Sequence, residues 1–527
     1  MQAGGNAVDA AVATGFALAV VFPQAGNLGG GGFMLIRMAD GATRFVDYRE
    51  KAPAAATANM YLDAQGNVIE NASLVGYKAI GVPGSVAGLA YAQKNYGKLP
   101  LPQVMAPAIK LAREGFALAW EDAEDLRDED LAKFPESKRI FQRNGDYYKQ
   151  GETFRQPELA RTLERIAKNP DDFYHGTIAR ELAGAIQKGG GLITVDDLAK
   201  YEVKEREPIR GTYRDYDIIS APPPSSGGIA LVEILNVLEG YDLRKFGNRS
   251  AQTIHLTAEA FRRAFYDRAE FLGDPDFAKI PVAQLIDKKY AAGWRESIDP
   301  EHASVSKDLR RPTVFNELER YAQAHLLKAT AIREPENTTH YSVVDSAGNA
   351  VAVTTTLNAT LGSRVTAEGL GFLLNDEMDD FALKQGVPNG YDLIQGPANA
   401  IGPGKRPLSA MIPTIVLKDG KLLLVLGAEG GPTIITTVAN VLTGVVDFGL
   451  DIQEAVNAPR IHHQWLPDEL HVEDRISPDT VRLLKSKGHK IQVEHLWGDG
   501  ECIAIDPKSG ERLGASDGRN NGRAVGY

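Results

Sequence analysis

Asn337-Thr338-Thr339-His340-Tyr341-Ser342 opens a strand-like run that continues to Val344. The turn Asp345-Ser346-Ala347-Gly348-Asn349 follows, and a second run returns from Ala350 to Leu357. Both arms are β-branched and apolar, and the five-residue connection contains glycine, so the pattern predicts a β-hairpin. Two readings of the adjacent threonines stand open. They are β-branched residues of the kind that fill strands, or one of them presents a rigidly held hydroxyl at the start of a core strand. The polar segment Lys328 to Asn337, which carries Pro335, is expected to be an exposed loop before them.

Outward from this hairpin the chain is long, at 527 residues. That length accommodates two to four domains or one large layered α/β body. Hydrophobic content of 43% and charged content of 24% are those of a globular protein. A net charge of -11, with no basic block carrying interleaved aromatics, argues against a nucleic-acid surface. The single cysteine, Cys502, excludes an internal disulfide framework and a cysteine-ligated zinc site. Ala10 to Phe22 is apolar almost throughout, but about 13 residues fall short of the ~20 that a bilayer requires. No basic residue precedes it, so it reads as a buried helix with Asn6 as N-cap and Pro23 past its end, not as a signal peptide.

The run Gly26-Asn27-Leu28-Gly29-Gly30-Gly31-Gly32 lacks the Lys-Ser/Thr of a phosphate loop and points to close backbone approach or a tight turn. Phe33 to Arg37 and Arg44 to Arg49 read as a strand pair. Arg49, at its end, is either a solvated charge or a fork for a carboxylate. Residues 54–210 read as mainly helical, with charged amphipathic stretches at Trp120 to Lys133 and Gln156 to Lys168. Strands are expected at Tyr216 to Ser220, Gly369 to Asn375, Thr414 to Leu417 and Leu422 to Leu426. Helices are expected at Ile229 to Leu238, onward to about Leu327, and from Thr433 to Asp447. The Gly/Pro/Asn-rich stretch Gln385 to Lys405, with Tyr391 near its middle, is long enough to be a functional loop. His462-His463 and His471 have no carboxylate at a metal-binding spacing. No Gly-x-Ser-x-Gly nucleophile elbow is present.

Threonine is a poor nucleophile without a base. A threonine at a chain start carries one in its own α-amine, whose pKa of about 7.7–8.0 lies near neutrality. An internal threonine lacks that amine. Thr338 would serve only after the chain is cut at Asn337–Thr338, which its own hydroxyl could do through an ester.

On these residues the chain resembles the γ-glutamyltranspeptidase (glutathione hydrolase) family of N-terminal-nucleophile hydrolases. The matching stretches are Gly4 to Ala13, Pro23 to Phe33, Asp47 to Pro53, Pro222 to Gly228, Thr338 to Ser342, Asn375 to Phe381, Arg406 to Ser409 and Gly430-Gly431. The resemblance implies an α/β fold of four layers, αββα, with no cofactor and no metal. It implies a precursor cut into a large subunit, 1–337, and a small catalytic subunit, 338–527, that stay associated. Thr338 matches the nucleophile, Thr356 its supporting hydroxyl, and Gly430 and Gly431 the oxyanion hole. Arg49, with Ser409, matches the grip on the substrate α-carboxylate; Asn358, Glu377 and Asp380 match the α-ammonium site. Tyr391 falls at the gate of a lid spanning Gln385 to Lys405. The implied substrates are glutathione and other γ-glutamyl compounds, with amino acids, peptides or water as acceptors. The implied location is the periplasm or cell exterior, with no membrane span.

Two departures accompany the resemblance. Many members of the family carry two serines after Arg-Pro-Leu, whereas this chain has Ser409-Ala410, and a lost hydroxyl costs roughly 1–3 kcal/mol of substrate binding unless a backbone N–H replaces it. The Gly-Gly-Asn-Ala motif starts at Gly4, so the large subunit is expected to be N-terminally truncated relative to the family. Two alternatives are a glutaryl or cephalosporin-type acylase, whose substrate lacks the α-ammonium, and an unprocessed, inactive binding protein.

Overall fold

A computed structural model describes residues 1–315, 318, 336–384 and 386–526, with the backbone alone at 336 and 337. The segment 328–335, the helical reach to 327 and Gln385 at the start of the lid lie outside the described residues.

The chain begins with α1, Ala7–Val21, then β1, Gly31–Arg37, and β2, Thr43–Asp47. Three helices follow, α2 (Ser85–Tyr96), α3 (Leu101–Glu114) and α4 (Pro157–Lys168). The strands β3 (Lys204–Arg206), β4 (Ile209–Tyr213) and β5 (Tyr216–Ser220) lead into α5 (Gly227–Leu238) and α6 (Ala251–Phe271). The hairpin is β6 (Glu336–Val344) with β7 (Ala350–Ala359). Then come β8 (Thr414–Lys418), β9 (Lys421–Leu426), β10 (Ala428–Glu429) and α7 (Thr433–Phe448). The last strands used below are β11 (Asp499–Gly500), β12 (Cys502–Ile505) and β13 (Arg512–Ala515).

One sheet has the order β3-β2-β1-β7-β6 and a second β13-β12-β9-β8-β5-β4. Side-chain alternation stacks the layers. Phe33 and Leu35 of β1 and Ala350 and Ala352 of β7 pack with Ile415, Val416 and Leu424 of the second sheet. Met34, Ile36, Val351 and Val353 face the other way, onto α1 to α4. α5, α6 and α7 belong to the core of the second sheet. The α/β fold is thus helix, sheet, sheet, helix. Tyr341 lies with the first helical layer and Val344 with the core shared with the second sheet, so the even-numbered residues Thr338, His340 and Ser342 look between the sheets.

Local chemistry places the hairpin. Asn6 Oδ1 accepts from the N–H groups of Val8 (2.9 Å) and Asp9 (3.1 Å), and Asp9 Oδ2 accepts from Asn6 N–H at 2.7 Å, a capping box that starts α1. Ala7 N–H then donates to Asp345 Oδ2 at 3.0 Å, tying the helix start to the hairpin turn. β1 lies against β7 in antiparallel register, Gly31 opposite Thr356. The glycines allow this approach: a Cβ on Gly30 would fall 2.1 Å from Thr356 O, and one on Gly32 2.6 Å from Thr354 O.

Three expectations are corrected. Gly369 to Asn375 is not a strand; Gly369 and Gly371 take positive φ (76° and 79°), and Leu373 and Leu374 make only isolated bridges. Trp120 to Lys133 is two short pieces, a helix at Trp120–Asp125 and a 3₁₀ turn at Glu129–Lys133. Residues 54–76 are turns, with one bridge between Leu62 and Val68.

Candidate active site

Thr338 pairs with Thr356 across the hairpin, and its Oγ1 donates to Thr356 Oγ1 at 3.4 Å. The register slips between Glu336, opposite Ala359, and Thr338, opposite Thr356, so Asn337, immediately before the threonine, faces a two-residue bulge of β7, Leu357 and Asn358. Strand pairing begins at Glu336. Thr338 is thus the third residue of β6, not its first, and is 4% exposed. Thr356 Oγ1 also accepts from Asn358 N–H at 2.9 Å. Asn358 takes φ 84°, in the left-handed region, and its Nδ2 donates to Asp376 O at 3.2 Å. Behind Thr356, Asn27 Nδ2 donates to the Thr356 carbonyl at 2.9 Å while its Oδ1 accepts from Gly30 N–H at 3.0 Å.

His340, one step along the same face, has Nδ1 2.8 Å from Thr354 Oγ1 and Nε2 3.1 Å from Ser342 Oγ. Ser342 Oγ donates to Glu501 O at 2.9 Å. Burial pushes the imidazole down to about 3, so it is neutral and serves this hydrogen-bond track.

Arg49 is wholly buried, which excludes a solvated charge. Its guanidinium meets Glu377 and Asp380 in two charge-assisted bonds, lies 3.6 Å from Glu50, and donates to the Pro407 and Leu408 carbonyls at 3.3 Å each. One guanidinium therefore faces three carboxyls. Burial, then the charges of Glu50 and Asp380, push Glu377 well above the usual carboxylate range, against the pull of Arg49. Burial raises Glu50 to about 7. Asn375 fixes this loop: Oδ1 accepts from Glu377 N–H at 3.0 Å and Gly81 N–H at 2.8 Å, and Nδ2 donates to the Gly29 and Gly81 carbonyls.

The stretch 386–405 folds over these acids. Gln395 Nε2 and Asn399 Nδ2 donate to Asp380 O at 3.0 and 2.6 Å, and Gly390 N–H donates to Asp379 Oδ2 at 2.9 Å. Tyr391 is half-buried, with its carbonyl accepting from Gln464 Nε2 at 3.1 Å. Ser409 Oγ accepts from Met411 N–H at 3.1 Å.

Gly430 and Gly431 take φ 113° and 53°, values that favour glycine, and lead into α7 at Thr433. Their strand β10 lies beside β6; a Cβ on Gly427 would strike the His340 ring. β10 pairs with β11 so that Glu429 sits directly opposite Asp499. Burial, with the charges of Asp517 and Glu501, raises Glu429 to about 8; burial, with the charges of Glu429, Glu501 and Asp517, raises Asp499 to about 9.

The histidines noted in the sequence have separate partners: His462 with Thr436 and Gln464, His463 with Asp468, and His471 with Glu494. A different buried trio, His255, Glu259 and His489, does converge. Glu259 is taken by Arg263 Nη1 at 2.5 Å and Arg262 Nε at 3.3 Å, and two guanidiniums are poor neighbours for a cation.

The site thus gathers Thr338, Thr356 and Asn358 on the hairpin, Arg49, Glu377 and Asp380 in one ion cluster, Ser409 close by in sequence to its Pro407 and Leu408 contacts, and the glycine loop beside β6. Sequence reasoning missed Asn27, Glu50, His340, Asn375 and Asp379. Of these, Glu50 alone carried a signal, as an acid adjoining the arginine.

The model of the gamma-glutamyltranspeptidase family matches residues 1–527. The chain is 52% identical over 524 residues to the glutathione hydrolase proenzyme of Escherichia coli strain K12, covering 99% of this chain and 87% of that protein. It is 37% identical to the acylase ACY 1 proenzyme of Pseudomonas sp. strain SE83, covering 100% and 90%. Its fold is similar to the crystal structure of cephalosporin acylase from Bacillus halodurans, with TM-score 0.84, 27% identity, and coverage of 100% and 92%. Paired threonines beside a buried arginine–carboxylate cluster and a full-length family match lead to one conclusion: the chain belongs to the gamma-glutamyltranspeptidase family.

Proposed function

We propose that this chain is a self-processing γ-glutamyl hydrolase and transpeptidase, cut between Asn337 and Thr338 into a large subunit, 1–337, and a small catalytic subunit, 338–527. The observation that carries the reading is Thr338 Oγ1 on Thr356 Oγ1, in the same site as Arg49, a buried arginine faced by three carboxyls.

In self-cleavage the Thr338 hydroxyl attacks the Asn337 carbonyl carbon, opposite the β7 bulge. The C–N bond breaks as an ester forms, and water hydrolyses the ester. Asn337 leaves with a carboxylate and Thr338 with a free amine. In turnover that amine takes the hydroxyl proton as Oγ1 attacks the γ-carbonyl. The oxyanion forms against the Gly430 and Gly431 N–H groups, the leaving amine departs with a proton, and a γ-glutamyl ester remains. Water releases glutamate from it; an acceptor amine takes the γ-glutamyl group instead.

Specificity is an exchange of charges. Glu377 and Asp380 occupy the Arg49 fork. A γ-glutamyl group brings its own carboxylate to Arg49 and Ser409, and its own ammonium to Glu377, Asp380 and Asn358, with Tyr391 gating the lid. Glutathione and other γ-glutamyl amides fit this pattern. A glutaryl amide supplies the carboxylate but no ammonium and leaves the acids unmatched. The periplasm or cell exterior belongs to the same proposal; no described helix is long and apolar enough to cross a membrane.

A denaturing gel of purified protein is expected to show two pieces, the larger ending at Asn337, in place of one 57.0 kDa band. The processed protein is expected to hydrolyse a γ-glutamyl anilide at least about 100-fold better than its glutaryl analogue. A single band that hydrolyses neither substrate defeats the enzyme reading; two pieces with equal rates defeat the γ-glutamyl assignment and favour the acylase.

A pH prediction follows from Glu429 and Asp499. A proton retained on this pair keeps the two opposed carboxyls from repelling; both folded-state values are raised, so that proton is present at neutral pH and lost on the alkaline side. From about pH 7.5 to about pH 10, kcat is expected to fall as the β10–β11 ribbon loosens. Glu429→Gln, which no longer titrates, is expected to flatten that fall. An unchanged profile in Glu429→Gln rejects it.

A further inference from the structure

Asp47 ends β2 and is wholly buried. Alternation along the strand points it the same way as Phe45, into the space between the two sheets, where an apolar side chain is the ordinary occupant. A carboxylate there needs partners, and it has three. Its Oδ1 accepts from Arg49 N–H at 3.0 Å, its Oδ2 accepts from Arg206 Nε at 2.7 Å, and Arg406 Nε lies 3.4 Å from Oδ1. Both guanidiniums are also fixed by other groups. Arg206 forks onto Asp276 at 3.1 and 3.0 Å. Arg406 donates from Nη2 to Glu202 O at 2.6 Å, and its N–H donates to Asp274 Oδ2 at 2.7 Å. Tyr201 OH donates to Arg49 O at 2.9 Å, so the backbone of Arg49 is held on both sides.

We propose that Asp47 is a positioning residue of the carboxylate grip: it sets the Arg49 fork against the segment 406–409, so that the fork keeps its place when a substrate enters. This rests on the γ-glutamyl reading of Arg49 and Ser409. The need arises because Glu377 and Asp380 fill the fork. When a substrate carboxylate takes their place, the guanidinium keeps the Pro407 and Leu408 carbonyls, each at 3.3 Å, and Glu50 at 3.6 Å. The carbonyls are neutral acceptors at long range, and they steer the fork only as well as residues 406–408 are placed. Asp47 joins the two sides: the same carboxylate takes the Arg49 N–H and faces Arg406, the residue before Pro407. On the proposed cut Arg49 belongs to the large subunit and Arg406 to the small one, so no continuous chain joins these walls of the pocket and the carboxylate links them. Bidentate recognition by a planar fork is sensitive to small displacements, which makes that link a determinant of substrate affinity.

The test uses the full-length processed protein and three anilides: γ-glutamyl, with carboxylate and ammonium; glutaryl, with the carboxylate alone; and γ-aminobutyryl, with the ammonium alone. Asp47→Asn keeps an acceptor for Arg49 N–H but loses the charge that faces the two guanidiniums. It is expected to raise KM for γ-glutamyl and glutaryl anilides alike, about tenfold, with kcat changed about threefold or less. For γ-aminobutyryl anilide kcat/KM is expected to stay within about twofold, so the preference for γ-glutamyl over γ-aminobutyryl anilide falls about tenfold. Tyr201→Phe removes only the hydroxyl on the Arg49 carbonyl and is expected to show the same pattern at about fivefold. Should Asp47→Asn fail to accumulate as processed protein, Tyr201→Phe carries the test. In an Arg49→Lys background Asp47→Asn is expected to add less than about twofold to KM, because a point charge has no fork to align. Equal losses on all three anilides, full additivity with Arg49→Lys, or an unchanged KM in both Asp47→Asn and Tyr201→Phe overturns the proposal. A parent protein with no preference for γ-glutamyl over γ-aminobutyryl anilide overturns the carboxylate-grip reading of Arg49 instead.

Discussion

Thr338→Ala is expected to leave the protein as one 57.0 kDa chain with no measurable γ-glutamyl hydrolysis, a loss of at least about 10⁴-fold. The effect is large because one hydroxyl has two successive uses. On the proposed mechanism it cuts the chain after Asn337, and the cut creates the amine that later serves it as base. Alanine removes both, and an uncut chain keeps position 338 as an amide nitrogen with no basic lone pair. Thr338→Ser retains the hydroxyl and is expected to process and turn over more slowly, since serine lacks the methyl group that restricts χ1. Thr339→Ala is expected to process normally, because only the residue after the cut gains the amine. Thr356→Ala, which removes the neighbour at 3.4 Å, is expected to slow both reactions about 10- to 100-fold. The gel and the anilide assay check all four. Two pieces divided at Asn337 in Thr338→Ala would remove Thr338 from the mechanism.

The hairpin was legible in the sequence because its causes are local: β-branched arms and a turn whose Asp345 accepts from Ala347 and Asn349 N–H groups at 2.9 and 3.0 Å. Helix α1 was legible for the same reason, through its N-cap Asn6; the part of Asp9 in the capping box was not read. The order of strands was not. β1 lies beside β7, more than three hundred residues on, and nothing in Gly29 to Gly32 says which strand its bare backbone admits. Gly369 to Asn375 was misread because its apolar residues suit a strand, while two glycines with positive φ break the ladder.

The site divides along the same line. Thr338, Arg49, Asp380 and the glycine pair lie in recognisable motifs. Whether Arg49 is solvated or buried depends on Glu377, Asp380, Pro407 and Leu408, all distant in sequence. Asn27 and Asn375 bond backbone groups and hydroxyls that only the fold brings to them. A residue whose partners are main-chain carbonyls from other elements leaves no pattern in its own neighbourhood.

Substitutions of Asp380 and Glu377 are expected to separate two carboxyls that the motif presents as equals. Both meet the Arg49 guanidinium, but their surroundings differ: the Asp380 side chain is 14% exposed, that of Glu377 only 1%. Burial first, and then the charges of Glu50 and Asp380, push Glu377 far above the usual carboxylate range, so a neutral glutamine resembles the form it holds beside Arg49. Glu377→Gln is therefore expected to lower kcat/KM for γ-glutamyl anilide by about tenfold or less. Asp380→Asn removes the charge available to the ammonium and is expected to lower it by at least about 100-fold, through KM more than kcat. Glutaryl anilide has no ammonium, so its hydrolysis by Asp380→Asn is expected to stay within about threefold of the parent value, and the two substrates converge. The sign is fixed by charge alone: a pocket with one carboxylate fewer discriminates less against a substrate with one cation fewer. Equal losses on both anilides would mean that Asp380 only holds Arg49 in place; a larger loss in Glu377→Gln than in Asp380→Asn would transfer the ammonium to Glu377.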